Sequence, residues 1–289
     1  MIMLTLIKKT SGFGLIELLV TFAMLILVMG SVYSLFASNH KAYSVQDQIL
    51  ERDQMILACN ELLGREARSA GLKVDMNGSS GKLGTVAQMI SSSFLPASPA
   101  PITVTLNNGD YPIKITQGTE TSPDAVTIIG AIGDKTNPTQ VANDPAIGDT
   151  VITLKLTAVQ TQAGYSVGDV IYIGEEVENA KITAVNGNQL TINPPLTRNH
   201  AQWAEVGKLS VISYEIFTTG TVKSLKRKEN SGSFEAVGEN ITDLQATQTG
   251  NNTNIVLTGQ TAHPDSSYSL NGGYRQKVVS INLAPKNIK

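Results

Sequence analysis

The chain has 289 residues, one cysteine, three histidines and a formal charge of −2. One cysteine forbids an intrachain disulfide, and the near-neutral charge gives no electrostatic argument for a nucleic-acid partner or an acidic substrate. The length holds a membrane helix and one sizeable domain, or a domain with an insertion.

The first element begins after Lys8 and Lys9, with Gly12-Phe13-Gly14-Leu15-Ile16-Glu17, and runs apolar to Phe36. Between Phe13 and Ser38 the one charged side chain is Glu17. About 20 apolar residues cross a hydrocarbon core, so this run is long enough. The lysines precede it and no comparable basic cluster follows, which predicts a cytoplasmic N-terminus and a translocated remainder. A carboxylate at a helix centre costs roughly 2.5–3.5 kcal/mol on insertion scales. Glu17 therefore either reaches headgroup water near the cytoplasmic end or has a function.

Basic residues, then Gly12, Phe13, and Glu17 four residues on, ahead of a hydrophobic helix, resemble the class III leader of type IV prepilins and type II secretion pseudopilins. The resemblance implies cleavage by a prepilin peptidase between Gly12 and Phe13, and methylation of Phe13 to N-methylphenylalanine. It also implies a role for Glu17 in subunit assembly. Cleavage creates a cationic α-amine in a low-dielectric helix bundle, and a carboxylate from a neighbouring subunit can neutralise it. A secretory signal peptide fits less well, because the apolar core is too long, carries an acid and ends in Leu35-Phe36-Ala37-Ser38-Asn39 without an Ala-x-Ala site. A plain membrane anchor leaves Gly12, Phe13 and Glu17 unexplained.

From Tyr43 to Ala70 there is no proline, and Val45, Ile49, Ile56, Cys59, Leu63, Ala67 and Ala70 recur at helical spacing. Asp47, Glu51, Asp53, Glu61 and Glu66 are expected mostly off that face, with Gly71 as the stop. Gly14 to Gly71 then makes a helix about 85 Å long, apolar all round in its first half and amphipathic in its second. That is the architecture of a pilin. Many members kink this helix at a proline; here the region holds Gly30, Ser31 and Ser34 instead. Cys59 reads as a small buried apolar residue. Leu62 to Leu72 is similar to the helix end of PilW-type minor pilins. Asp75-x-Asn77-Gly78 lacks the spacing of a calcium loop and reads as a polar turn.

Strands dominate beyond a loop-rich stretch around Ser91-Ser92-Ser93. Ile102–Leu106 and Tyr111–Ile115 flank Asn107-Asn108-Gly109-Asp110 and read as a hairpin; Asp124–Ile129 is a further strand. Thr150 to Leu196 reads as a locally closed all-β unit, a small barrel or an elaborated sheet, with a tight turn at Asn186-Gly187-Asn188. Glu175-Glu176-x-Glu178 reads as a solvated edge, and Asn199, His200 and Trp203 as exposed linker residues open to an adhesive contact. Strands follow at Lys208–Phe217, Gly220–Lys228, Phe234–Val237, Asn240–Ala246, Ile255–Leu257 and Lys277–Leu283, again similar to PilW-type minor pilins and J-type pseudopilins. Lys223, Lys226, Arg227 and Lys228 form a basic strand, expected to protect a sheet edge.

No Gly-x-Ser-x-Gly, HExxH or P-loop occurs and the histidines lie far apart, so no catalytic residues, metal or cofactor are expected. The expected fold is α+β and type IV pilin-like: a long N-terminal transmembrane and amphipathic helix on an antiparallel β-sheet domain with an inserted β-rich unit. Its parts are a leader at 1–12, a transmembrane half at 13–38, an amphipathic half at 39–72 and an extracytoplasmic domain at 73–289, with the insertion at about 145–205. The resemblance implies a minor pilin acting in pilus assembly near the tip. Its partners would be the prepilin peptidase, other major and minor pilins, the inner-membrane assembly platform and membrane lipid. It would reside in the inner membrane before assembly and in the extracellular pilus after. A J-type pseudopilin of type II secretion, or a pilus-borne adhesin or DNA-binding subunit, is the alternative.

Overall fold

A computed structural model describes residues 14–76, 82–90, 105–118, 123–132 and 138–284. The chain divides into two units, 1–50 and 51–289. A helix, α1 (Leu15–Arg68), runs without a break through Gly30, Ser31 and Ser34, and Ser31 Oγ donates back to the Leu27 carbonyl at 2.9 Å. Such back-bonding satisfies a hydroxyl inside an apolar helix. In the first unit α1 is apolar all round to Phe36; Val45 and Ile49 are half-buried.

Within the second unit α1 buries one face. Ile56, Cys59, Leu63, Ala67 and Ala70 are all fully buried, as their spacing predicts, in a core shared with two sheets. Burial pushes the Cys59 thiol up to about 11, so it packs as a small apolar residue. α1 ends at Arg68, and the turn that follows it stops at Gly71, whose φ of +77° is the left-handed conformation that glycine adopts without strain. There the chain joins the sheet: Gly71 N–H donates to the Ile129 carbonyl at 2.8 Å and Ala131 N–H to the Leu72 carbonyl at 2.8 Å. A Cβ at Gly130 would lie 2.7 Å from the Ser69 carbonyl oxygen, so this backbone approach requires glycine.

The remaining elements, in chain order, are α2 (Val86–Met89), β1 (Ile113–Thr116), β2 (Ala125–Gly130), β3 (Thr139–Gln140), β4 (Val151–Thr153) and α3 (Ala158–Gly164). Then come β5 (Val170–Ile173), β6 (Glu178–Asn186), β7 (Gln189–Asn193), β8 (Glu205–Lys208), β9 (Ser210–Thr219) and β10 (Val222–Glu229). The chain closes with β11 (Glu235–Glu239), β12 (Ile241–Thr249), β13 (Asn252–Gln260) and β14 (Gln276–Leu283). All described pairings are antiparallel, in sheets ordered β1-β2-β9-β10-β11, β12-β13-β14 and β3-β8-β5-β6-β7-β4. The fold is therefore α+β, a long N-terminal apolar helix with antiparallel sheets.

The five- and three-stranded sheets share the core under α1. Asp124 stitches them: its carboxylate accepts from Gly118 N–H and Ala246 N–H, each at 2.8 Å. The six-stranded sheet has its own core, including Ile152, Leu154, Tyr165, Ile171, Ile182, Leu190 and Val206. Its ends meet through a Val141–Leu154 bridge and the bonds Ala142 N–H to Thr153 O and Lys155 N–H to Gln140 O, closing a small barrel. The strands of this barrel run from Thr139 to Lys208, wider than the 150–196 read from the sequence. The extra strands are short and lack an alternating signal; β3 is two residues long. α3 was also not anticipated, although Thr157 and Gln160 form a reciprocal capping box at its start.

β1 pairs with β2, with Ile113 opposite Ile128 and Ile115 opposite Val126; of the other arm of the expected hairpin, Leu106 is irregular and residues 102–104 lie outside the described residues. The Asn107–Asp110 turn forms, and β2, buried along its whole length, offers β1 an apolar surface to pair on. The basic strand β10 is not the sheet edge its sequence suggests; it lies between β9 and β11. Its four cations are dealt with one by one rather than by solvent, as described below.

Candidate functional site

The sequence-predicted site is the start of α1. Gly12 and Phe13 lie outside the described residues, as do Asn77, Gly78 and Ser91–Ser93. Glu17 is in the first turn of α1, where a negative charge complements the helix dipole. Its Oε2 accepts from Gly14 N–H at 3.0 Å, and its carbonyl accepts from the Thr21 hydroxyl at 2.6 Å. The carboxylate thus turns back toward the residue that follows Phe13, satisfying one of the free donors at a helix start. Beyond it, large apolar side chains stay open from Leu15 to Phe36, with Leu15 81% and Phe36 67% exposed. A run this long and apolar can cross a membrane.

At the other end of α1 a polar cluster is buried in the core. Glu66 is 5% exposed, where the sequence reading put it mostly off the buried face. Tyr214 on β9 donates its hydroxyl to Glu66 Oε2 at 2.5 Å. Arg227 on β10 donates Nε to Glu66 Oε1 at 3.1 Å and Nη2 to the same oxygen at 2.9 Å. Its Nη1 reaches Glu229 at 3.1 Å. Burial opposes the Arg227 charge, but Glu66 outweighs it and holds the guanidinium above its ordinary value. Burial and then Glu66 hold the Tyr214 phenol up as well. The signal was present in the spacing: Cys59, Leu63, Glu66 and Ala70 fall on one helical face, and a carboxylate there needs an ionic partner from the sheet.

The other β10 cations split between the faces of the sheet. Lys223 Nζ donates to the Thr242 carbonyl at 3.4 Å, and Lys226 stacks 4.9 Å from the Phe217 ring centre. Lys228 lies 6.0 Å from the Phe234 ring centre and is buried beside Glu215. Glu215 is 2% exposed and neither of its carboxylate oxygens finds a hydrogen bond. Burial pushes its carboxyl up to about 7, although Lys228 pulls it down. The folded chain therefore holds this proton more tightly than the unfolded chain. The stability so gained is complete below about 4.5 and is lost as pH rises through about 7. Glu215→Gln should flatten urea unfolding midpoints across that window and raise stability above it; an unchanged pH profile would remove Glu215 from the account.

In the barrel, Glu175 and Glu176 are exposed as the sequence predicts, but Glu178 departs from that reading. Glu178 is buried, and His200, read as an exposed linker residue, is buried against it, with Nε2 2.9 Å from Glu178 Oε2. Glu178 Oε1 accepts from the Thr197 N–H at 2.6 Å and from its hydroxyl at 2.9 Å. Barrel closure carries the 195–200 loop onto the start of β6, a proximity no local pattern reveals. The next residue, Asn179, ties the barrel to the chain leaving α1: its Oδ1 accepts from Asp75 N–H at 2.6 Å and its Nδ2 donates to the Lys73 carbonyl at 3.1 Å. Burial raises the neighbouring Asp75 carboxyl while Arg198 lowers it. Asn199 and Trp203 are exposed as expected. Among the described residues no group of three or more His, Cys, Asp or Glu is arranged to hold a metal ion.

These contacts make the polar clusters at Glu66 and Glu178 joints between elements, and leave the start of α1 as the region whose open apolar surface requires a partner. Compared with protein families and with curated proteins, the chain finds no match.

Proposed function

We propose that the chain is a minor pilin of a type IV pilus, processed by a prepilin peptidase and acting in pilus assembly or initiation near the tip. The observation that carries this reading is α1 itself. Its first part is open, apolar and interrupted by one acid in the first turn, and its last part buries a face in a β domain. Such a surface needs lipid before assembly and neighbouring helices after it. The Glu17 carboxylate already points back along the chain to Gly14 N–H, the end at which cleavage after Gly12 would expose the α-amine of Phe13. The barrel is then an insertion in the pilin sheet: β2 and β9 are adjacent, with Gly130 opposite Ser210, and the barrel strands lie between them in sequence.

The leader supplies the test. A side chain at Gly12 should block the peptidase sterically, so Gly12→Val should accumulate in the membrane as a longer precursor without N-methylphenylalanine, read by mass spectrometry. Mature protein of normal mass from that variant would overturn the reading.

A further inference from the structure

The barrel carries a feature that this reading does not use. Trp203, the chain's one tryptophan, is 49% exposed and sits at φ +73°. Left-handed backbone is uncommon for any residue with a side chain and is an outlier for a bulky one; such strain persists where the surroundings over-determine it. Here they do. Trp203 N–H donates to the Val141 carbonyl at 3.1 Å and Val141 N–H to the Ala204 carbonyl at 3.0 Å. Gln202 N–H donates to Asp144 Oδ1 at 2.5 Å, and its side-chain amide to the Ala142 carbonyl at 2.7 Å. Glycine or asparagine would occupy this turn at lower cost, and the indole fills no core position that repays the difference.

The surroundings indicate a ligand class. Lys155 Nζ lies 4.0 Å from the ring centre, over one face of the indole, while 49% of the residue stays open to solvent. Gln202 precedes the ring in the turn, and Gln140 and Asn143 lie within two residues of Val141, whose backbone bonds Trp203 and Ala204; all three are exposed. Amide groups both donate and accept, and pair well with neighbouring hydroxyls; an aromatic face packs on the C–H face of a pyranose. One lysine is too little charge for a nucleic-acid backbone, which is tracked by a basic groove. We propose that Trp203 is the stacking platform of a saccharide-binding site on the barrel, for neutral pyranose chains, with Gln140, Asn143 and Gln202 as the hydroxyl-recognising groups. The proposal stands independently of the pilin reading.

Because the chain has one tryptophan, its fluorescence reports this site alone. The full chain in detergent is titrated with glucose-, mannose-, galactose- and N-acetylglucosamine-based tetrasaccharides, and with oligothymidylate. A saturable emission change with at least one saccharide is expected. Calorimetry should then find that Trp203→Phe binds the same sugar more weakly and that Trp203→Gly does not bind it. Trp203→Gly should melt at the wild-type temperature or above, since glycine relieves the strain. No saturable change with any tetrasaccharide, or a change with oligothymidylate alone, would overturn the proposal. So would undiminished sugar binding by Trp203→Gly. A large fall in its melting temperature would make the indole a structural prop and overturn it too.

Discussion

Glu17→Ala is expected to enter the membrane and be cut normally, yet to be absent or nearly absent from sheared filaments. Gly12 and the apolar run are intact in this variant, so insertion and processing have what they need. What is lost, on the proposed reading, is the carboxylate that would meet a neighbour's α-ammonium once helices pack away from water; removing one partner of a buried pair typically costs about 3–5 kcal/mol. The monomer should barely respond. Its Gly14 N–H loses a capping oxygen, a cost of about 1 kcal/mol, offset by the removal of a carboxylate from the edge of hydrocarbon. The ratio of this subunit in sheared pili to that in the membrane fraction measures the effect. Wild-type incorporation would reduce Glu17 to a helix cap, and the pairing mechanism would fall.

Arg227→Leu should be the most destabilising single change in the β domain, by about 3–5 kcal/mol. It leaves Glu66, 5% exposed, with the Tyr214 hydroxyl and no cation. Urea unfolding of the full chain in detergent, followed through the β circular dichroism signal, measures the loss. Adding Glu66→Gln to Arg227→Leu should recover much of it, because the uncompensated charge causes the damage rather than the missing contact. A loss below about 1 kcal/mol would place this pair among solvent-screened ion pairs.

Much of the fold was legible because its signals are local. The apolar run, the three- and four-residue spacing from Ile56 to Ala70 and the stop at Gly71 describe α1 almost to its end, since helical period and a left-handed glycine depend on neighbours in sequence. The strands at β6, β7, β9 and β12–β14 were visible for the same reason. What failed depended on pairing across distance. β10 became an inner strand, and barrel closure put His200 on Glu178. Glu66 is a different kind of miss: its position on the buried face was readable, but charge was allowed to outweigh spacing. At the start of α1, Glu17 lies in the first turn with its carboxylate on Gly14 N–H, while Gly12 and Phe13 are beyond the described residues.

The barrel's two attachment points have an evolutionary consequence. Gly130 and Ser210 face each other across one ladder, so their Cα atoms are about 5 Å apart, a gap that a simple hairpin turn also spans. The five-stranded sheet keeps its strand order whatever lies between them. Related chains can therefore gain, lose or exchange the module at this junction while keeping the strand order, provided they also replace the apolar contacts of Val170 and Tyr172 with Ile129, Leu209 and Val211 and the surface around Lys73 and Asp75 that Asn179 grips. Length variation and divergence in surface chemistry among relatives should concentrate between these two residues, and the helix and main sheet should vary far less.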